Sequence, residues 1–133
     1  MEQFEDYDVL CISTNSRGIS RDEAYDRVQK TAALFPKSDS ILYSKRIDST
    51  LRGNVGAEID SILDYLGEDY RAVVVASFPG SGRTSIGDIL LVNGVPLQMT
   101  EAAMIPLLRT YIQDYRDRKA AVPISGGIYR TGT

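Results

Sequence analysis

Between Lys45 and Glu58 the chain reads Lys-Arg-Ile-Asp-Ser-Thr-Leu-Arg-Gly-Asn-Val-Gly-Ala-Glu. Asp48, Ser49 and Thr50 offer three neighbouring side-chain oxygens, and Arg52 adds a planar guanidinium whose fork matches a carboxylate or a phosphate. Gly53 lets the backbone come close to a ligand. A helix cap requires one side-chain oxygen. This stretch holds more polar groups than a cap uses, and its chemistry suits the grip of a small anion.

The flanking residues position that stretch. Ile41 to Ile47 reads as a strand, whereas Val55, Ile59, Ile62, Leu63 and Leu66 recur at helical spacing. Asp48 to Asn54 is therefore a strand-to-helix turn, and the helix Asn54 to Leu66 that follows is stopped by Gly67. Unpaired amides and the macrodipole at such a helix start favour negative charge. Upstream, Val9 to Ser13 reads as a strand and Thr14-Asn15-Ser16-Arg17-Gly18 as a loop. Ser20 with Glu23 makes a capping box, and Ala24, Val28 and Ala32 trace one face of a helix reaching about Leu34, ended by Pro36. Downstream, Ala72 to Ala76 is apolar without alternation, as in a parallel strand covered on both faces. Asn93-Gly94, between Ile86 to Val92 and Val95 to Leu97, signals a β-hairpin. Glu101 to Arg118 is compatible with a helix, and residues 123–133 read as a loose tail. The expected fold is α/β, an open, mostly parallel doubly wound sheet with an added β-hairpin, over residues 1–122.

In such a sheet, ligands collect outside the carboxyl ends of the strands. The loops expected there carry Asn15, Ser16 and Arg17; Asp48, Ser49, Thr50, Arg52 and Gly53; and Arg83 within Ser77-Phe78-Pro79-Gly80-Ser81-Gly82-Arg83-Thr84. Each has an arginine and at least two hydroxyls, which fits a small polyhydroxylated anion. The third loop fails as a phosphate-binding P-loop: Ser77 stands where the first glycine is needed and Arg83 where the lysine is needed.

A length of 133 residues suits one domain with a real core. The net charge is −3, with no long block of either sign, so no nucleic-acid or membrane surface is indicated. Cys11 lies in the apolar run Val9 to Ile12 and is expected in the core. With one cysteine and no histidine, the chain has no internal disulfide, no His/Cys metal site and no histidine-based triad. The acidic first residues do not resemble a signal peptide, and no apolar run is long enough for a membrane-spanning helix. The expected location is cytoplasmic.

Lys-Arg-Ile-Asp-Ser-Thr-Leu-Arg-Gly-Asn, Phe-Pro-Gly-Ser-Gly-Arg-Thr and Leu-Leu-Val-Asn-Gly-Val-Pro-Leu, in that order and spacing, resemble the N-terminal substrate-binding domain of four-carbon acid sugar kinases. The resemblance runs from about Asp8 to Thr100. It implies ATP-dependent phosphorylation of acids such as threonate or erythronate, with the sugar acid held here and ATP and magnesium held by a separate C-terminal domain. ATP and magnesium are not expected to bind this chain alone. Members of the family begin with a strand ending in an Asp-Asp-x-Thr-Gly-Ala turn; this chain is expected to start after that place and to lack the nucleotide domain. It is therefore read as a piece of a kinase, inactive alone; a non-enzymatic sugar-acid-binding module and a vestigial fragment are the alternatives. Asp48 is a candidate general base, the family's acidic turn an equal one. A separate nucleotide-binding domain, or a second copy paired through an exposed sheet edge, is the expected macromolecular partner.

Overall fold

The computed structural model describes residues 7–38, 40–87, 89–101 and 127–130. Helix α1 spans Arg21–Ala32 and α2 spans Val55–Leu66. The strands are β1 (Tyr70–Val73), β2 (Arg83–Ile86), β3 (Ile89–Val92), β4 (Val95–Pro96) and β5 (Gly127–Arg130).

Helix α1 begins as its residues dictate. The Ser20 hydroxyl accepts from the Glu23 amide, and the Glu23 carboxylate accepts from the Ser20 amide and hydroxyl. Ala24, Val28 and Ala32 form its buried face, and α1 packs on α2, whose buried residues include Val55, Ala57, Ile59, Ile62 and Leu66. The Ser61 hydroxyl donates to the Tyr25 carbonyl at 2.7 Å, so small and short side chains let the helices approach. Around this contact Val28, Val55, Ile59, Ile62 and Leu66 join Tyr43 and Ala72 in one apolar cluster. Full burial of each larger aliphatic chain contributes about 1.5 to 3 kcal/mol. Tyr43 meets Tyr70 edge to face at 6.2 Å and donates to the Pro36 carbonyl.

A second, smaller cluster consists of Leu90 and Leu97, with Ala76 and Val92 packed against it. It lies on the meander β2–β3–β4, in which Arg83 pairs with Val92 and Leu91 with Pro96. Asn93 and Gly94 both take positive φ, 52° and 81°, as a type I′ turn requires. The hairpin expected at Asn93-Gly94 is present, and Leu97–Met99 continues it as a short 3-10 turn. Leu51 touches both clusters.

The mixed helix and sheet composition agrees with an α/β fold, but every strand pair among the described residues is antiparallel. The runs 9–13 and 41–47, expected as parallel strands, form no ladder among the described residues, and within them only Tyr43 takes part in a bridge; of Ala72 to Ala76, expected likewise, only Ala72 and Val73 are in a strand, β1, whose pairing with β5 is antiparallel. Their apolar composition favours extension, but a strand exists only when a neighbour pairs its amides and carbonyls. The same run explains Cys11, which is exposed rather than in the core, beside Val9 at 82% exposure. Residues 127–130, within the stretch read as a loose tail, pair with β1, Tyr70 opposite Arg130 and Val73 opposite Gly127. The helix expected over 101–118 lies outside the described residues apart from its first position. No helix among the described residues is long and apolar enough to cross a membrane.

Candidate functional site

The turn after residue 47 is organised by one carboxylate. Asp48 Oδ2 accepts from the Thr50 amide and hydroxyl and from the Arg52 amide and Nε, while Oδ1 accepts from Arg52 Nη2 at 2.7 Å and from Arg17 Nη2 at 2.9 Å. The short side chain of Asp48 reaches its own backbone two and four residues on, which is the general reason acids favour turns. The Leu51 amide donates to the Asp48 carbonyl at 2.9 Å and closes the turn. Leu51 then sits at φ 58°, a left-handed conformation that costs an ordinary residue about 1 to 2 kcal/mol. Its contacts with both apolar clusters offset that cost.

Two arginines from different loops thus converge on a side chain that is 10% exposed, while their own side chains remain 62% (Arg17) and 48% (Arg52) exposed. The Arg52 bond, more than any other contact, holds the Asp48 carboxyl well below the usual carboxylate range; burial opposes this and the Thr50 hydroxyl reinforces it. In return Asp48 raises the Arg52 guanidinium's affinity for its proton. Two guanidiniums against one carboxylate leave a net positive charge. Arg17 Nε and Nη1 and Arg52 Nη1 make no hydrogen bond to the described residues, so donors remain for an anion.

The first loop is held from behind. Arg27 Nη1, on α1, donates to the carbonyls of Thr14 and Asn15. Asn54 Nδ2, at the start of α2, donates to the carbonyls of Ser16 and Ile19, both at 2.9 Å. Asn54 is the residue preceding the helix, yet its side chain makes no cap. Gly53, at φ 97°, lies so close to Arg17 that a Cβ there would stand 3.0 Å from Arg17 Cγ. That approach explains the glycine.

The nominated residues therefore separate. Asn15, Arg17 and Arg52 are exposed, and Ser49 is half-buried. Ser16 and Thr50 are buried, with their hydroxyls committed to Glu58 and Asp48. Arg83 does not join the Asp48 cluster: its Nη1 donates to the Ser81 carbonyl in its own loop, and its Nε is buried without a partner. The Gly82 carbonyl accepts from the Asn93 amide at 2.7 Å, which ties this third loop to the hairpin turn. Glu58, Lys45, Arg27 and Asn54 were not nominated. Glu58 carried a signal, because it falls in phase with the apolar positions Val55, Ile59 and Ile62, where an acid must be paired.

The chain is similar to several known proteins and to a solved structure. A D-erythronate kinase from Heliobacterium modesticaldum is 49% identical over 106 residues, which are 80% of this chain and 24% of that protein. A D-threonate kinase from Salmonella typhimurium is 44% identical over 102 residues, 74% of this chain and 23% of that protein. A crystal structure from Bordetella bronchiseptica, described as a domain of unknown function with bound citrate in a domain-swapped dimer, superimposes with a TM-score of 0.62 at 35% identity, covering 72% of this chain and 24% of that one. The chain spans about a quarter of the length of these relatives. The model of the sugar-binding N-terminal domain matches residues 1–123, nearly the whole chain, which therefore belongs to the sugar-binding N-terminal domain family.

Proposed function

We propose that this chain is the substrate-holding part of an ATP-dependent kinase acting on four-carbon sugar acids, of the erythronate and threonate type. The observation that carries the reading is the Arg17–Asp48–Arg52 cluster, in which a nearly buried carboxylate aims two half-exposed guanidiniums and leaves one positive charge in excess. A sugar carboxylate completes that charge balance through charge-assisted, forked hydrogen bonds. Asn15 and Ser49 lie beside it as partners for hydroxyls, with Ser16, Thr50 and Gly53 shaping the loops behind them. Arg83, held within the third loop by the Ser81 carbonyl and outside the cluster in this structure, is a further contact for the ligand on this reading. The activities named for the Heliobacterium and Salmonella proteins, and the citrate in the Bordetella structure, itself a hydroxylated carboxylate, support the same ligand class.

Phosphoryl transfer is chiefly positioning and electrostatic stabilisation of a nucleotide in line with an acceptor hydroxyl. On this reading the chain supplies the acceptor side, and ATP with magnesium is held by a separate nucleotide-binding domain. A carboxylate that holds its proton so weakly is a poor general base near neutral pH. Asp48 therefore acts by orienting Arg17 and Arg52, and the base comes from another group. The apolar runs 9–13, 41–47 and 72–76 support a parallel arrangement in the intact enzyme, with pairing to a second copy as the alternative partner for the exposed run 9–12. The intact enzyme is assigned to the cytoplasm.

The test is titration of D-erythronate into the isotope-labelled chain by NMR. Arg52→Ala is expected to weaken binding tenfold or more, while Lys30→Ala, which removes the same charge at the last turn of α1, changes it less than twofold. Equal affinities for wild type and Arg52→Ala would overturn the assignment. The chain alone is expected to show no turnover with ATP and magnesium; turnover abolished by Arg52→Ala would disprove its dependence on a second domain.

A further inference from the structure

A second carboxylate lies behind the anion-binding turn, and the reaction as described does not use it. Glu58 is 5% exposed on α2. Its Oε1 accepts from the Ser16 hydroxyl at 2.5 Å, and its Oε2 pairs with Lys45 Nζ at 2.6 Å. Ser16 in turn lies 2.8 Å from the Thr14 hydroxyl. A carboxylate can only accept, so the Ser16 proton points to Glu58 and Thr14 must donate to Ser16. The direction of the chain Thr14–Ser16–Glu58 is thereby settled, and the Ser16 hydroxyl has no proton left for a ligand.

These bonds join three pieces of backbone. Ser16 immediately precedes Arg17 in the first loop, Lys45 precedes Asp48 by three residues, and Glu58 follows Arg52 by six. We propose that Glu58 is a positioning residue of the anion site: it bolts the first loop to the Asp48 turn from behind, and so sets the distance between the Arg17 and Arg52 guanidiniums in front. Without it, the loop is still held by Arg27 and Asn54, but Arg17 has one anchor fewer beside Gly53 and its own bond to Asp48, and its long side chain regains rotamer freedom that ligand binding must then remove. The proposal rests on the sugar-acid reading for its effect on affinity, but not for its effect on the loop.

The experiment compares wild type, Glu58→Gln, Ser16→Ala and the double variant. Two readouts are taken: the amide and Arg17 Nε–H resonances of the ligand-free chain, and D-erythronate affinity by NMR titration. Glu58→Gln is expected to shift or broaden Asn15, Ser16, Gly18 and the Arg17 Nε–H, leave the α1–α2 core resonances in place, and weaken binding about fivefold. Ser16→Ala removes one hydroxyl without burying a new charge and is expected to do the same to a lesser degree, about threefold. The double variant should lose less than the product of the two single losses, since both variants weaken the Ser16–Glu58 bond and the Lys45 pair is lost only with Glu58→Gln. Unchanged Arg17 Nε–H and loop resonances in Glu58→Gln would overturn the proposal; if that variant does not fold, unchanged resonances in Ser16→Ala would do so. Fully multiplying losses of affinity would also count against it. Failure of the wild type to bind D-erythronate would sink the sugar-acid reading alone, because the ligand-free resonances still decide the role of Glu58.

Discussion

Asp48 and Glu58 are carboxylates that each bind a hydroxyl and a cation, and each reaches the first loop, Asp48 through Arg17 and Glu58 through Ser16. They differ in where the cation sits. The partners of Asp48 are Arg17 and Arg52, about half or more exposed, whereas the partner of Glu58 is Lys45, only 21% exposed. In the first case solvent screens the pair and donors remain free in front; in the second the charges are mutually satisfied out of water. The same side-chain chemistry thus serves recognition at one place and architecture at the other, and cation exposure separates the two.

The comparison is most easily broken at its buried end. Glu58→Ala leaves the half-buried Lys45 ammonium with the Arg46 carbonyl but without its ion-pair partner and opens a void under α2, and about 3 kcal/mol of unfolding free energy should be lost in urea denaturation. A loss no larger than that of the Asp48 variant would erase the distinction. Asp48→Asn comes next, at about 1.5 to 2 kcal/mol, since its arginines can turn to water. This variant also tests pH. Because the folded-state Asp48 carboxyl is held below its unfolded value, its stabilisation is complete above the unfolded pKa of about 4 and is lost as pH falls further. Thermal melts between pH 7 and 2 should therefore show wild type losing its advantage over Asp48→Asn below about pH 4. An advantage that stays undiminished from about pH 4 down to about pH 2 would mean the carboxylate is not what stabilises the turn.

Two smaller effects sharpen the contrast. Gly53→Ala forces a Cβ into a positive-φ site and against Arg17, so about 1 kcal/mol should be lost, with sugar-acid affinity falling as Arg17 is displaced. Retained affinity with lowered stability would show that Arg17 is not part of the grip. Arg17→Ala should change stability by less than about 0.5 kcal/mol while weakening binding severalfold. A large stability loss there would class Arg17 with Lys45 instead.

Features written in local sequence were legible. The Ser20–Glu23 box, the α2 stripe from Val55 to Leu66 and the Asn93-Gly94 turn each depend on residues a few positions apart, and each appears at the expected place within one residue. The sheet was not legible in the same way, because whether the run 9–13 forms a strand depends on a distant neighbour, and so does the exposure of Cys11. Within the site, the sequence pointed to residues of the first two loops, which the fold does bring together at Asp48, but could not say which hydroxyls face inward. Ser16 and Thr50 differ from Ser49 only through carboxylates that folding places beside them. Glu58 closed the motif that drew attention to Asp48, yet its role appears only when its helical phase is read against α1.

Leu51 gives the turn a further property. A side chain shared by the α1–α2 cluster and the β-meander cluster holds its left-handed backbone only while both clusters stay closed. Local opening of either one releases the strain and melts the turn with it, so the anion site has no foldon of its own. Hydrogen exchange at the Leu51 and Arg52 amides should follow the less stable of the two clusters, making the site's occupancy a thermodynamic clasp between them.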